Sequence, residues 1–195
     1  MSTARQRQPI SIADYLEGEL TSPLKHEFVD GVVYAMAGAT ANHNRIATNS
    51  TGALYNQLRG KRCQVFNSDM KARVRLSRST RFYYPDLSVV CQPNAGDATF
   101  QDNPVVIVEV VSESTRRVDE YEKREAYLSI NSLCVYVLLE PNTAGAMVYR
   151  RADAGFTQEI YDGLDAIIPL PEIECGLSLA EAYAQVQFLP PDPEA

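Results

Sequence analysis

The sequence predicts a single domain of mixed α/β (α+β) class, and three observations lead there. Residues 87–91, 105–111 and 134–139 are short, β-branched-rich apolar runs with little alternation, the composition of central strands covered on both faces. Stretches with helical spacing fall between or before them, at 11–17, at 43–58 and, heavily charged, at 117–130. The chain's 195 residues, 45% of them hydrophobic, suffice for one substantial core but not for two ordinary domains.

The elements follow in order. Ser11 with Asp14 three residues on has the form of a capping signal, and Ile12, Tyr15 and Leu16 share one face of a short opening helix. Residues 26–36 read as an N-terminal hairpin around Asp30-Gly31, a pair suited to a tight turn because glycine tolerates positive φ. Ile46, Ala47, Leu54 and Leu58 predict a helix over 43–58, although Thr48 to Thr51 is poor in helix formers. From Met70 to Leu76 apolar and basic residues alternate strictly, which predicts a half-buried strand whose exposed face carries Lys71, Arg73 and Arg75. Further edge strands are expected over 146–168, and Ser178 with Glu181 opens a last short helix. The domain is expected to span 11–188, after a flexible start at 1–10. A disordered tail is expected at 189–195, where three prolines in four residues prevent regular pairing.

Composition narrows the function. No apolar run approaches the roughly 18 residues of a spanning helix, and the polar N-terminus is no signal peptide. Cys63, Cys91, Cys134 and Cys175 lie far apart with no C-x-x-C spacing, so they read as reduced core thiols of a cytoplasmic protein. A formal charge of −7 disfavours indiscriminate coating of nucleic acid. The charge is uneven, however: residues 59–81 hold eight basic side chains against Asp69 alone, a local charge of +7 that leaves −14 for the remainder. Such a segment is either a polyanion-attracting face or a solvated surface hairpin.

Glu109 carries the most chemical information. It lies inside Val105-Val-Ile-Val-Glu-Val-Val111, where an isolated charge costs several kcal/mol unless paired, protonated or bound to metal. Asp86, between Tyr83-Tyr84-Pro85 and an apolar run, is the second such acid. If the two strands are neighbours, carboxylates about 4 Å apart repel by roughly 4 kcal/mol at an effective dielectric near 20, enough to raise one pKa or recruit a divalent cation. With oxygen ligands that ion is Mg²⁺ or Mn²⁺, and the Val110 carbonyl would complete the set. Taken singly, Glu109 could instead pair with a buried base, and Asp86 could cap a turn. Position 111 shares a strand face with Glu109 and holds valine, so an amine beside the site must come from elsewhere. Lys123 is the nearest source, on one helical face with Asp119 and Tyr127, where an ordinary Asp119–Lys123 helix pair is the alternative.

Taken together, Ser11-Ile-Ala-Asp-Tyr-Leu-Glu17, Glu27-Phe-Val-Asp-Gly31, His43, Tyr84-Pro-Asp-Leu-Ser-Val-Val-Cys91, Val108-Glu-Val-Val-Ser-Glu-Ser-Thr115, Asp119, Lys123, Tyr127 and Cys134-Val-Tyr-Val-Leu-Leu139 resemble the Uma-type restriction endonuclease family, within the PD-(D/E)xK nuclease superfamily. The resemblance implies a restriction endonuclease-like mixed sheet flanked by helices, with Asp86 and Glu109 as metal ligands. It also implies a lysine moved to the following helix at Lys123, and Glu27 as a further acid. The implied activity is Mg²⁺-dependent hydrolysis of DNA phosphodiester bonds by a homodimer, with no small-molecule cofactor. Lys71, Arg73 and Arg75 would contact phosphates and position the duplex without reading sequence. The alternative is a nuclease-fold module that binds nucleic acid or regulates without cutting. His43 fits either a structural or a catalytic role.

Overall fold

The computed structural model describes residues 8–112, 116 and 118–188. Most of the expected flexible start and all of the expected tail lie outside these residues. Within them the order is α1 (Ile12–Thr21), β1 (His26–Val29), β2 (Val32–Ala35), α2 (Ala41–Leu58), β3 (Gln64–Asn67), β4 (Lys71–Arg75), β5 (Thr80–Tyr83), β6 (Leu87–Val90), β7 (Phe100–Gln101) and β8 (Pro104–Val110). A π-helical turn (Val118–Lys123) then runs into α3 (Arg124–Leu128). β9 (Val135–Leu139), β10 (Gly145–Ala152), β11 (Gly155–Asp162), β12 (Ile167–Leu170), β13 (Cys175–Ser178) and α4 (Leu179–Ala182) complete the chain.

The mixed sheet has six strands in the order β11-β10-β9-β8-β6-β3, with β8 and β9 parallel and the other neighbours antiparallel. A second sheet, β2-β1-β5-β4-β7, holds the hairpin and the basic strand, and β12 pairs with β13. Alternation along β8 divides the core. Val106, Val108 and Val110 face Ile46, Leu54 and Leu58 of α2, whereas Ile107 and Val111 face Tyr83, Tyr127 and Tyr136. The outer face of the second sheet is covered by α1 through Tyr15, Phe28 and Phe82.

Local chemistry explains the ends of these elements. Ser11 caps α1 by accepting the Asp14 N–H at 3.1 Å. Thr40 caps α2 in the same way through His43 N–H, which starts that helix two residues before the sequence pattern does. The expected cap at Ser178 makes no side-chain hydrogen bond to α4. In the hairpin, Asp30 and Gly31 both have positive φ, 52° and 88°. A Cβ at Gly31 would also stand 2.6 Å from Pro9, and Ile10 N–H donates to the Gly31 carbonyl at 2.9 Å, so the chain is pinned before residue 11.

Two expectations are corrected here. The face of β4 is not a solvent-exposed basic strip: Lys71 is 6% exposed, Arg73 is partly buried, and Arg75 alone of the three is exposed. The reason is that β4 lies inside the sheet between β5 and β7, and its basic side chains meet Tyr84 and Asp102 rather than water. Nor are all four cysteines thiols, because Cys63 and Cys91 form a disulfide while Cys134 and Cys175 are free. The antiparallel register that pairs Gln64 with Val90 sets Cys63 directly opposite Cys91, a proximity that no sequence spacing announces. No helix among the described residues is long and apolar enough to cross a membrane. A thiol titration of the denatured, unreduced protein is expected to find two reactive groups per chain, and four after reduction.

Candidate active site

The site forms where the β6–β8 ladder ends. Leu87 pairs with Val108, and beyond that pair each strand offers a backbone N–H that no strand carbonyl takes. Side chains supply the acceptors reciprocally: Asp86 Oδ2 accepts Val110 N–H at 2.7 Å, and Glu109 Oε2 accepts Asp86 N–H at 3.1 Å. Each acid is thereby fixed by the strand that carries the other. Glu109 is 4% exposed, and its Oε1 also receives the Tyr127 hydroxyl at 3.1 Å and faces Lys123 Nζ at 3.4 Å.

Lys123 enters from the face that carries Ile107 and Val111. Its Nζ lies 2.9 Å from Glu27 Oε1 and 3.5 Å from Asp119 Oδ1, over the Tyr83 ring. The helix it belongs to is π-wound at this point, an uncommon winding that recurs at functional sites. Val111, 1% exposed among tyrosines, occupies the strand position an amine would need, and Lys123 reaches Glu109 from the helix instead. Glu27 arrives on β1 and also accepts Tyr84 N–H at 3.3 Å. His43 comes from the opposite side, in the first turn of α2, with Nε2 3.3 Å from Asp86 Oδ2.

The electrostatics follow from crowding in a dry place. Burial raises the Glu109 pKa, and although Lys123 opposes this, Asp86, Asp119 and Glu27 add to it, so the carboxyl sits well above its ordinary range. Burial pulls the Lys123 pKa down, but Glu109, Glu27 and Asp119 together push it well above the usual lysine value. Lys123 therefore stays charged among acids that outnumber it. For His43, burial lowers the pKa while the hydrogen bond and charge of Asp86 and the Val110 carbonyl raise it, with a net upward shift. Among the described residues no group of three or more His, Cys, Asp or Glu side chains already stands at metal-holding spacing. The donor chemistry still fits a hard divalent cation: the Asp86 and Glu109 carboxylates are each held by the other's stretch of backbone, with no sulfur beside them, in a cluster with surplus negative charge.

The fold thus brings Asp86, Glu109, Val110, Glu27 and Lys123 together, and leaves Lys71, Arg73 and Arg75 apart in other pairings. Arg73 forms a bidentate pair with Asp102, at 2.8 and 2.7 Å, and Arg75 lies 3.9 Å from the same acid. Lys71 donates to the Tyr84 hydroxyl at 3.0 Å, and burial lowers its pKa. Tyr84 in turn donates to Glu19 Oε2 at 2.6 Å, and Glu19 also holds His26 through its ring and its N–H. This second polar layer lies under the segment that presents Asp86. Sequence reasoning did not single out Glu19, since only its position in the apolar spacing of α1 could have suggested that it turns inward.

A family model described as "Putative restriction endonuclease", Uma2, matches residues 12–182. The chain belongs to the Uma2 family. Two proteins of Synechocystis sp., both described as uncharacterized, are each 33% identical to it. One matches over 147 residues, covering 75% of this chain and 76% of its own, and the other over 134 residues, covering 67% and 75%. A crystal structure from Anabaena variabilis, described as a putative nuclease belonging to DUF820, superposes with a TM-score of 0.69 at 17% identity. It covers 88% of this chain and 98% of its own, and shows the fold the Uma2 chain shares.

Glu19 supplies a test of the supporting layer. Burial raises its pKa, but hydrogen bonds from Tyr84 and His26 and the charge of Lys71 leave it below its ordinary value. A depressed folded pKa gives stability that is present above the unfolded value and lost as pH falls through the folded one. Glu19→Gln is therefore expected to lower stability by about 1–3 kcal/mol at pH 7. In urea denaturation that deficit should shrink as pH drops below 4.5, the ordinary carboxyl value.

Proposed function

We propose that this Uma2 chain is a divalent-metal-dependent nuclease that hydrolyses phosphodiester bonds in DNA. The Uma2 family and the nuclease-like fold support a nuclease. The observation that carries the finer reading is the reciprocal hold of Asp86 and Glu109, with a buried, charged lysine 3.4 Å from the second.

On this reading Asp86, Glu109 and the Val110 carbonyl hold Mg²⁺ or Mn²⁺, which when bound polarises the scissile phosphate and lowers the pKa of a water. The chain's own residues do the rest. Lys123 keeps a positive charge in a water-poor site, where it offsets negative charge developing on the phosphate oxygens. Glu27 and Asp119 hold that ammonium in place, and Tyr127 orients Glu109 through its hydroxyl. Positively charged contacts to the duplex then fall to exposed side chains such as Arg75, since Lys71 and Arg73 are engaged internally. Cutting both strands calls for two such sites, which fits a homodimer.

A second reading, a nuclease fold that binds or regulates without cutting, is favoured by one observation: the carboxylates and the lysine already satisfy one another. Plasmid cleavage separates the two. With Mg²⁺ the parent protein is expected to nick supercoiled plasmid, and Glu109→Ala and Lys123→Met are expected to lose about a hundredfold or more. Equal residual cleavage in all three would point to a contaminant, and absence of cleavage with any divalent ion would favour the second reading.

A further inference from the structure

We propose that Cys63 and Cys91 form a reversible thiol–disulfide pair, and that the cleft beside Cys63 receives the small anionic thiol that opens it. The inference goes beyond the nuclease reading and uses none of its residues. The cleft holds about 420 Å³ and lies where α2 hands over to β3. Gly60, at φ 75°, turns the chain there, and Lys61 N–H closes the turn on the Leu58 carbonyl at 2.9 Å. Leu58 and Val65 give the cleft an apolar lining, Tyr55 stands 58% exposed beside them, and Arg59 and Lys61 bring two positive charges. Cys63 lines it as well, and Cys91 does not. Lys61 is partly engaged, since its Nζ donates to the Glu174 carbonyl at 3.0 Å, whereas no ion pair takes up Arg59 among the described residues.

Position and charge both suit this bond to exchange. β3 is an edge strand, and the two cysteines are partly exposed at one end of the β3–β6 ladder. The attacking species in exchange is the thiolate, so a cationic cleft favours both the carboxylates and the reactive form of an entering thiol. That thiolate bonds to Cys63 Sγ as the Sγ–Sγ bond breaks, and the electron pair leaves on Cys91 Sγ, which takes a proton from water. Arg62 Nε donates to the Cys91 carbonyl at 3.2 Å and so sets a positive charge beside the residue whose sulfur leaves. A second small thiolate then attacks the first in the mixed disulfide and releases Cys63 as thiolate. Two small thiols are thereby oxidised to one disulfide, and the protein's cystine takes up their two electrons. Reversal is built into the sheet: the pairs from Gln64 with Val90 to Asn67 with Leu87 remain, and they keep the two thiols opposite each other.

Glutathione, a tripeptide thiol with two carboxylates, serves as the probe on the full chain under native conditions. After acid quenching, peptide mass mapping of this pair is expected to find the glutathione adduct on Cys63 and not on Cys91. Oxidised glutathione is expected to restore the Cys63–Cys91 bond once the reductant is removed. The charges are tested by Arg59→Gln combined with Lys61→Gln, two exposed side chains whose replacement leaves the core intact. The double variant is expected to be reduced by glutathione about fivefold more slowly than the parent, the size of two exposed ion pairs, and by uncharged β-mercaptoethanol at a rate within about twofold of it. No slowing with glutathione, or equal slowing with both thiols, would overturn the cleft's part in the reaction. An adduct on Cys91, a bond that glutathione leaves closed in the folded chain, or thiols that oxidised glutathione does not rejoin would overturn the reversible pair itself.

Discussion

A carboxylate buried in a valine-rich strand has to be compensated, and the way Glu109 is compensated organises this half of the molecule. Its two oxygens are divided between a neighbouring strand's backbone, through Asp86 N–H, and a helix, through Lys123 and Tyr127. Asp86 returns the contact to Val110 N–H. The end of a sheet ladder is normally where backbone donors turn to water. Here two acids take those donors inside the protein, so the charges cannot leave without orphaning the strands. An acid pair held this firmly is suited to receive a cation at fixed geometry, and costly to keep for stability alone, since apolar residues of similar size would fill the space with less desolvation.

The surrounding layers are arranged to keep that pair in register. On one side the π-wound turn carries Asp119 and Lys123, and α3 continues with Tyr127, whose ring packs edge-on against Tyr83 and Tyr136. On another, β1 delivers Glu27 while Glu19, Tyr84 and Lys71 bind one another beneath it. On the third, α2 delivers His43. Three separate stretches of chain, β1, α2 and the π-wound turn with α3, therefore meet at the end of one strand pair, and displacement of any of them would loosen the lysine or an acid.

How much of this was legible depended on whether the signal was local. The hairpin could be read from Asp30-Gly31, α1 from Ser11 and Asp14, and the central strands from their valine runs, because each is decided within a few residues. Glu109 and Asp86 could be singled out because a charge in an apolar strand is anomalous wherever that strand ends up. The pairing of Cys63 with Cys91 and the burial of Lys71 were not legible, since both depend on which strand lies beside which. Alternation along β4 gave its two faces correctly as apolar and basic, yet it could not say that a second layer of acids and tyrosines covers the basic one. The role of His43 was illegible for the same reason: only the packing of α2 on β8 brings it to Asp86.

The central claim, that Asp86, Glu109 and the Val110 carbonyl form one cation site beside Lys123, is tested most directly by a crystal structure soaked with Mn²⁺ and measured for anomalous scattering. The expected result is a single strong peak bound by those three oxygens, with Lys123 still against Glu27. Carboxylates that remain on their present backbone partners, with no peak between them at saturating Mn²⁺, would contradict it.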